Sequence, residues 1–240
     1  MVSDLKEKGK QSKVKPSPSD PYSLEDEASF VSRWLLLYLN PLLSKDDGRP
    51  LLSFDLGLPA RQDRCSVLHK YFEVHWTQDQ QLPAAERSLW RVLWRTVGYA
   101  QISWALTLYS GYYITSFGPI LILNRLVKHF SGEISITDVE LWSLTALIFV
   151  FPALGALCSA RSNVIMAHLG LQFRNVLVNA IHRKSLRLSS GAKLATSSGK
   201  IVNMFANDTV LVQKFIIFVN ICVLCPPAII VALALVYQQV

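Results

Sequence analysis

The run FIIFVNICVLCPPAIIVALALVYQQV, residues 215–240, contains no charged side chain, and fourteen of the residues from 215 to 236 are Leu, Ile, Val or Phe. Those side chains contribute roughly −4 to −8 kcal/mol towards membrane insertion, an upper limit because residues near the ends contribute less. A helix needs about 20 mostly apolar residues to cross a bilayer core about 30 Å thick. The run therefore predicts a membrane-spanning helix over residues 215–238.

Two other long stretches, residues 96–124 and 141–160, carry no charged side chain. A water-soluble helix of that length usually carries a polar face, so both stretches predict membrane spans, at residues 97–123 and 141–161. Beyond Arg161, apolar residues continue at helical spacing among basic ones, so the second helix is expected to continue outside the bilayer to about Leu188. The sequence thus predicts an all-α membrane protein with three spans and long cytosolic helix extensions.

The charges indicate how these helices are oriented. Residues 161–240 carry eight Lys or Arg against a single acid, Asp208, whereas residues 1–96 carry 14 against 13. All eight basic residues lie between positions 161 and 214, at the end of the second span or in the loop that follows it, and short loops rich in Lys and Arg stay on the cytoplasmic side. We therefore expect this loop and the amino terminus in the cytosol, and we expect no nucleic-acid partner.

The region before the first span divides into two predicted parts. Residues 1–28, rich in Lys, Ser, Pro and Asp near the start, predict a disordered cytosolic tail. Residues 29–96 predict an interfacial elbow helix ended by Pro41, followed by a cytosolic linker; a core helix of a small soluble domain is the alternative for the elbow. The helices predicted within this region cover residues 30–40, 64–76 and 88–95.

No motif predicts catalysis, a cofactor site or a metal site. A phosphate-binding loop that ended at Gly199 and Lys200 would need Gly at 194 and Ser or Thr at 201, where this chain has Leu194 and Ile201. The Cys-x-x-Cys in the third span lacks the second pair or the histidine that a zinc site needs. The chain itself is therefore expected to bind no ATP.

Several polar side chains lie inside the predicted spans. They could face a polar cavity, or they could simply bond to neighbouring helices, as such residues more often do. The candidates for a cavity-facing role are Ser103, Thr107, Tyr112, Asn220 and Tyr237.

Several motifs in chain order carry a resemblance to a known family. LNPLL at residues 39–43, FGP at 117–119 and PPAIIVALALVYQ at 226–238 each resemble a family segment. The strongest runs are AIHRKSLRLS at residues 180–189 and SGKIVNM at 198–204. In these motifs the chain resembles the C subfamily of ATP-binding cassette (ABC) transporters, the multidrug-resistance-protein type.

The resemblance implies that residues 97–240 form three of the six helices of a type-1 exporter membrane domain, with an intracellular loop over residues 162–214. It also implies a coupling helix in that loop which seats on a nucleotide-binding domain, with Gly199 opening the turn. Lys200 departs from the family, which usually has Glu there. The coupling residues implied are Gly199, Lys200, Ile201, Val202, Asn203, Met204 and Asp208.

By this resemblance the chain is the amino-terminal part of an ATP-driven exporter in the plasma or vacuolar membrane, with an unknown substrate. Its partners would be membrane lipid, the remaining membrane helices and a nucleotide-binding domain, and ATP with magnesium would bind to the longer protein. This chain has no nucleotide-binding domain of its own, so enzymatic activity is left open. The alternatives are a stand-alone regulator or scaffold, and a channel or channel regulator of the same family.

The predicted topology can be tested by glycosylation in microsomes. The natural sequon Asn207-Asp-Thr is expected to stay unmodified, because the basic loop that holds it faces the cytosol. A sequon placed within residues 131–136, with a Gly-Ser spacer for enzyme access, is expected to be glycosylated. Endoglycosidase-sensitive mobility shifts measure both, and modification at Asn207 would contradict the topology.

Overall fold

The computed structural model describes residues 23–44, 58–189, 191 and 197–237. The chain falls into two compact units, one that ends at Ala60 and one that spans residues 61–240. The described residues are almost all in helices and turns, with no β-strand among them. The predicted all-α class is therefore confirmed. The predicted tail lies mostly outside the described residues.

The first unit contains short helices: α1 (Leu24–Glu27), α2 (Phe30–Trp34), a 3-10 turn (Leu37–Leu39) and α3 (Asn40–Leu43). The single helix predicted over residues 30–40 is thus broken. The break lies at Leu36, whose φ of 57° is left-handed and cannot continue an α-helix. Pro41 does not end a helix as expected, because it lies in the first turn of α3, where its missing N–H leaves no hydrogen bond unmade.

The second unit contains the long helices. Three of its helical stretches are long and apolar enough to cross a membrane: Tyr99–Phe130, Asp138–Arg187 and Gly199–Tyr237. Its elements are α4 (Cys65–Gln80), α5 (Leu89–Val97), α6 (Tyr99–Phe130), α7 (Asp138–Arg187), α8 (Ser198–Asn203), a π-helical turn (Met204–Asp208) and α9 (Thr209–Tyr237).

Helix α5 leads into the first membrane helix but is separate from it. The Ser88 hydroxyl caps its start by accepting from the Arg91 N–H at 3.5 Å. Gly98 separates α5 from α6 with a φ of 93°, a conformation that residues with a side chain rarely adopt. The sequence predicted a helix over residues 88–95 but not the break after it, so α5 meets α6 at an angle that the glycine sets.

Helix α7 is much longer than a bilayer is thick. Its 50 residues span about 75 Å, against a hydrocarbon core of about 30 Å, so more than half of it lies outside the membrane. It ends at Arg187, one residue before the predicted end. The third long helix, α9, contains Pro226 and Pro227 and remains helical throughout. Membrane helices tolerate proline where neighbouring groups satisfy the freed carbonyls.

The residues expected to form a linker pack against the membrane helices instead. Buried side chains of α4 and α5 share one apolar core with α6, α7 and α9, and Trp94 of α5 contacts Phe173 of α7 edge-to-face at 4.9 Å. The core consists of Leu68, Phe72, Val92, Leu93, Val97, Ala105, Met166, Leu169, Phe173, Val176 and Ile216.

Helices α7 and α9 approach closely at Gly170. A Cβ atom at this position would lie 2.9 Å from the Gln213 carbonyl oxygen and 3.1 Å from the Ile217 Cγ1. Cβ atoms in real structures essentially never come within 3.0 Å of another atom in this way, and a backbone carbonyl cannot turn away as a flexible side chain can. Small residues commonly permit such close helix contacts in membrane proteins. Gly170 therefore sets the spacing of the two helices.

Replacing Gly170 by Ala is expected to destabilise the protein, because the added methyl group must push α9 away from α7. Overpacking of this kind costs about 1–3 kcal/mol, which corresponds to an apparent melting temperature lower by several degrees. Thermal unfolding in detergent measures it. Gly111→Ala is the matched control, since its Cβ would meet only the Cys158 Sγ, at an ordinary 3.9 Å. An equal effect of both variants would contradict the interpretation.

Candidate functional site

The implied coupling residues form the start of the third long helix. The Ser197 hydroxyl accepts from the Lys200 N–H at 3.3 Å and so begins α8. Helix α8 continues through the π-helical turn Met204–Asp208 directly into α9. The sequence predicted a short separate helix followed by the membrane helix. The structure instead gives one helical stretch, so a force on α8 would act directly on α9.

Gly199 does not open a turn, which corrects the expectation. It lies inside α8, and a Cβ there would meet only the Ser197 Oγ, at 4.0 Å. Most of the segment is open to solvent: Val202 is 62% exposed, and Lys200, Asn203 and Asp208 are exposed. Ile201 and Met204 are partly buried. Nothing in the described chain requires glycine at 199, so any requirement for it would come from a partner.

The coupling segment, residues 199–208, is held in place where it joins α9. Thr209, 2% exposed, donates its hydroxyl hydrogen bond to the Phe205 carbonyl at 2.8 Å. The Phe205 ring lies edge-to-face against the His182 ring of α7, with centroids 6.4 Å apart. These contacts hold the π-helical turn next to the carboxyl-terminal end of α7. An exposed segment thus lies at the end of a supported helix pair.

A hydrogen-bonded junction joins all three long helices. The buried Ser162 hydroxyl of α7 donates to the Ala105 carbonyl of α6 at 2.8 Å. It accepts from the Asn220 amide of α9 at 2.7 Å. Asn220 is only 1% exposed, and its amide bonds to a neighbouring helix, which is one of the two roles that the sequence left open for it.

The other cavity candidates are not gathered at one place. Ser103 and Thr107 are exposed on α6 and donate to carbonyls one turn earlier, both at 2.9 Å. Tyr112 is half-buried in a ring cluster with Tyr109 and Tyr113, at centroid distances of 5.5 and 5.3 Å. Tyr237 is 86% exposed near the end of α9. A cavity role for these four residues stays a prediction.

Sequence reasoning missed a second polar junction, which fixes the segment before α4 to α7. Asp63 is 2% exposed, and its carboxylate lies 2.6 Å from the His168 Nδ1 and accepts from the Gln172 Nε2 at 2.6 Å. The Asn175 side chain donates to the Asp63 backbone carbonyl at 3.2 Å. A lone Asp in an irregular stretch carries no sequence signal of this role, because its partners lie more than a hundred residues later.

The two junctions join the helices of the second unit to one another at separate points along α7. Ser162 joins α7 to both other long helices, and the Arg174 guanidinium adds a 3.4 Å hydrogen bond to the Gln213 side chain beyond it. Asp63 braces the same helix from the side of α4. A displacement of the exposed coupling segment would therefore move helices rather than bend a loop.

Comparison with known proteins agrees with this architecture. Residues 104–239 match the family described as the ABC transporter transmembrane region. Among relatives, "ABC transporter C family member 3" of Dictyostelium discoideum is 32% identical over 97% of this chain and 17% of its own length. "ABC transporter C family member 13" of rice (Oryza sativa subsp. indica) is 31% identical over 89% of this chain and 14% of its own length.

A maize relative, "ABC transporter C family MRP4", is 30% identical over 92% of this chain and 14% of its own length. The matched part of the chain thus covers only 14–17% of the length of these relatives, and the match lies in a membrane region. It is an integral membrane protein that contains part of a transporter membrane domain. The chain belongs to the C subfamily of ABC transporters.

Proposed function

We propose that this chain is the amino-terminal part of the first membrane domain of an ATP-driven exporter. In this role, residues 199–208 receive the movement of a nucleotide-binding domain and pass it to α9. The observation that carries the proposal is the exposed coupling segment, which continues without a break into a membrane helix. Two packed helices such as α7 and α9, with discrete contacts between them, can transmit a rigid-body movement along their length.

The nucleotide chemistry belongs to the longer protein in this proposal. ATP and magnesium would bind to the nucleotide-binding domain, and the remaining membrane helices would complete the transport pathway. We propose the plasma or vacuolar membrane as the location, which microscopy of a tagged full-length protein would distinguish. Transport assays on that full-length protein would identify the transported compound.

A photo-crosslinking experiment tests the docking directly and needs no known substrate. Benzoyl-phenylalanine placed at Val202, which is 62% exposed, is expected to crosslink to a nucleotide-binding domain in the full-length protein. The matched control is Val139, which is 78% exposed at the start of α7, within the predicted outer turn of residues 125–140. Mass spectrometry of the crosslinked peptides identifies the partner. Crosslinks from Val202 only to lipid or to other membrane helices would contradict the proposal.

Charge reversal at Asp208 is expected to impair coupling in the full-length protein. Asp208 is the single acid among the residues from 161 onwards, so a docking partner with complementary charge would lose an attractive contact and gain a repulsive one. We expect Asp208→Lys to reduce substrate-stimulated ATP hydrolysis by roughly 5-fold or more, with substrate binding retained. Gly199→Val is expected to act in the same direction by enlarging the docking surface.

The control for these variants is Glu133→Lys, an exposed acid in the outer turn. It should leave both stimulation and binding unchanged. ATP hydrolysis and substrate binding are measured on the same reconstituted samples, so that misfolding is distinguished from uncoupling. Unchanged stimulation in well-expressed Asp208 and Gly199 variants would mean that both are ordinary solvent-exposed residues with no part in coupling.

A further inference from the structure

Outside the coupling segment, an open groove runs between α4 and the cytosolic end of α7. The two helices run side by side in the same direction, since Cys65 contacts Asn175 and Glu73 pairs with Arg183 further along. The groove has a volume of about 620 Å³ and begins beside His69 and Leu177. It lies wholly within the second unit.

The groove has the dimensions of a short helix. Its lining residues on α4 run from His69 to Gln80, and those on α7 run from Leu177 to Arg187. At 1.5 Å per residue, each wall is about 15–17 Å long, which is roughly three helical turns. A small round ligand would fill only part of a trough of this length, whereas an amphipathic helix fits along it.

The floor of the groove is apolar, whereas one of its edges is positively charged. Phe72 and Trp76 of α4 stack with centroids 5.6 Å apart, and Ile181 faces the groove from α7. Lys184 and Arg187 line the edge, both are exposed, and neither has a carboxylate partner among the described residues. An apolar strip beside two available cations complements a helix with an apolar face and acidic residues next to it.

The single acid in the groove does not cancel this charge. Glu73 lies 3.2 Å from the Arg183 guanidinium and 2.8 Å from the His69 Nε2. Its charge is therefore engaged by groups other than Lys184 and Arg187, and those two side chains remain positive towards the groove. An acidic partner would meet a net positive wall.

The groove lies too far from the bilayer for a lipid headgroup to fill it. Residues 177–187 follow the predicted end of the second span, residue 161, by 16 to 26 positions. That is about 24–39 Å along the helix, whereas the headgroup layer on each side is only about 5–7 Å thick. The occupant must therefore come from the cytosol.

We propose that this groove binds an acidic amphipathic helix of a cytosolic partner protein. The partner's apolar face would lie on Phe72, Trp76 and Ile181, and its carboxylates would pair with Lys184 and Arg187. This site differs from the coupling segment, since none of residues 199–208 lines it. A bound helix would hold α4 against α7. It would thereby give a second site at which a partner could affect the proposed movement of α7 and α9.

The test uses the purified protein in lipid nanodiscs and a fluorescein-labelled helical peptide of about 14 residues. The peptide carries Leu along one face and Glu on both flanks, and a matched peptide carries Lys in place of each Glu. Fluorescence anisotropy is expected to show saturable binding of the acidic peptide that weakens with salt, and at least about 10-fold weaker binding of the basic one.

Variants locate the binding in the groove. Lys184→Glu and Arg187→Glu are each expected to weaken acidic-peptide binding about 5-fold or more, and Trp76→Ala is expected to weaken it through the lost apolar contact. Lys70→Glu makes the same charge change on α4 outside the groove and should leave affinity within about twofold. Circular dichroism and size-exclusion profiles of each variant verify its fold.

Three results would overturn the proposal. One is no saturable binding of the acidic peptide to the folded protein. Another is equal weakening by Lys70→Glu and Arg187→Glu, which would indicate general attraction to a basic surface. The third is complete displacement of the peptide by millimolar inorganic phosphate, which would identify a simple anion site.

Discussion

The hydroxyl group of Ser162 fixes the relative positions of the three long helices. A polar group that is buried away from water costs free energy unless a protein group bonds to it. Ser162 donates to the Ala105 carbonyl and accepts from Asn220, and it lies just past the predicted inner end of the second span. Such bonds contribute only about 0.6 kcal/mol on average in membrane proteins. Their effect on register is larger, because a shift of α9 by one residue would leave a buried amide without its acceptor.

In the proposed transmission of movement from residues 199–208 to α9, the same register must also be kept outside the membrane. Eight residues after Ser162, Gly170 lets the backbone of α9 approach α7 at the Gln213 carbonyl, and Phe205 then contacts His182 near the coupling segment. From residue 162 to residue 182, α7 rises by about 30 Å. Contacts at intervals along this length keep the two helices together, so a push at one end reaches the other. A flexible loop of the same length would dissipate it.

The helices could be predicted from the sequence, whereas their junctions could not. A charge-free run and a helical period are local properties, and they predicted three membrane helices and the long extension of α7. The break at Gly98 and the left-handed Leu36 depend on backbone angles that composition does not report. The buried role of Asp63 could not be predicted for a different reason. Its partners His168 and Gln172 lie 105 and 109 residues further along, and only the packing of α4 against α7 brings them together.

The basic residues of the loop between the second and third spans, which we predict to be cytosolic, have more than one physical consequence. The positive-inside rule depends on their number, not on where they stand around a helix. Lys184 and Arg187 also lie in the last turn of α7, where positive charge favours the helix dipole. Neither effect requires these two side chains to border an apolar trough, yet they line the groove beside Trp76 and Ile181. Orientation and helix stability therefore account for the charge of this loop, while its placement along the groove points to recognition of an acidic helix.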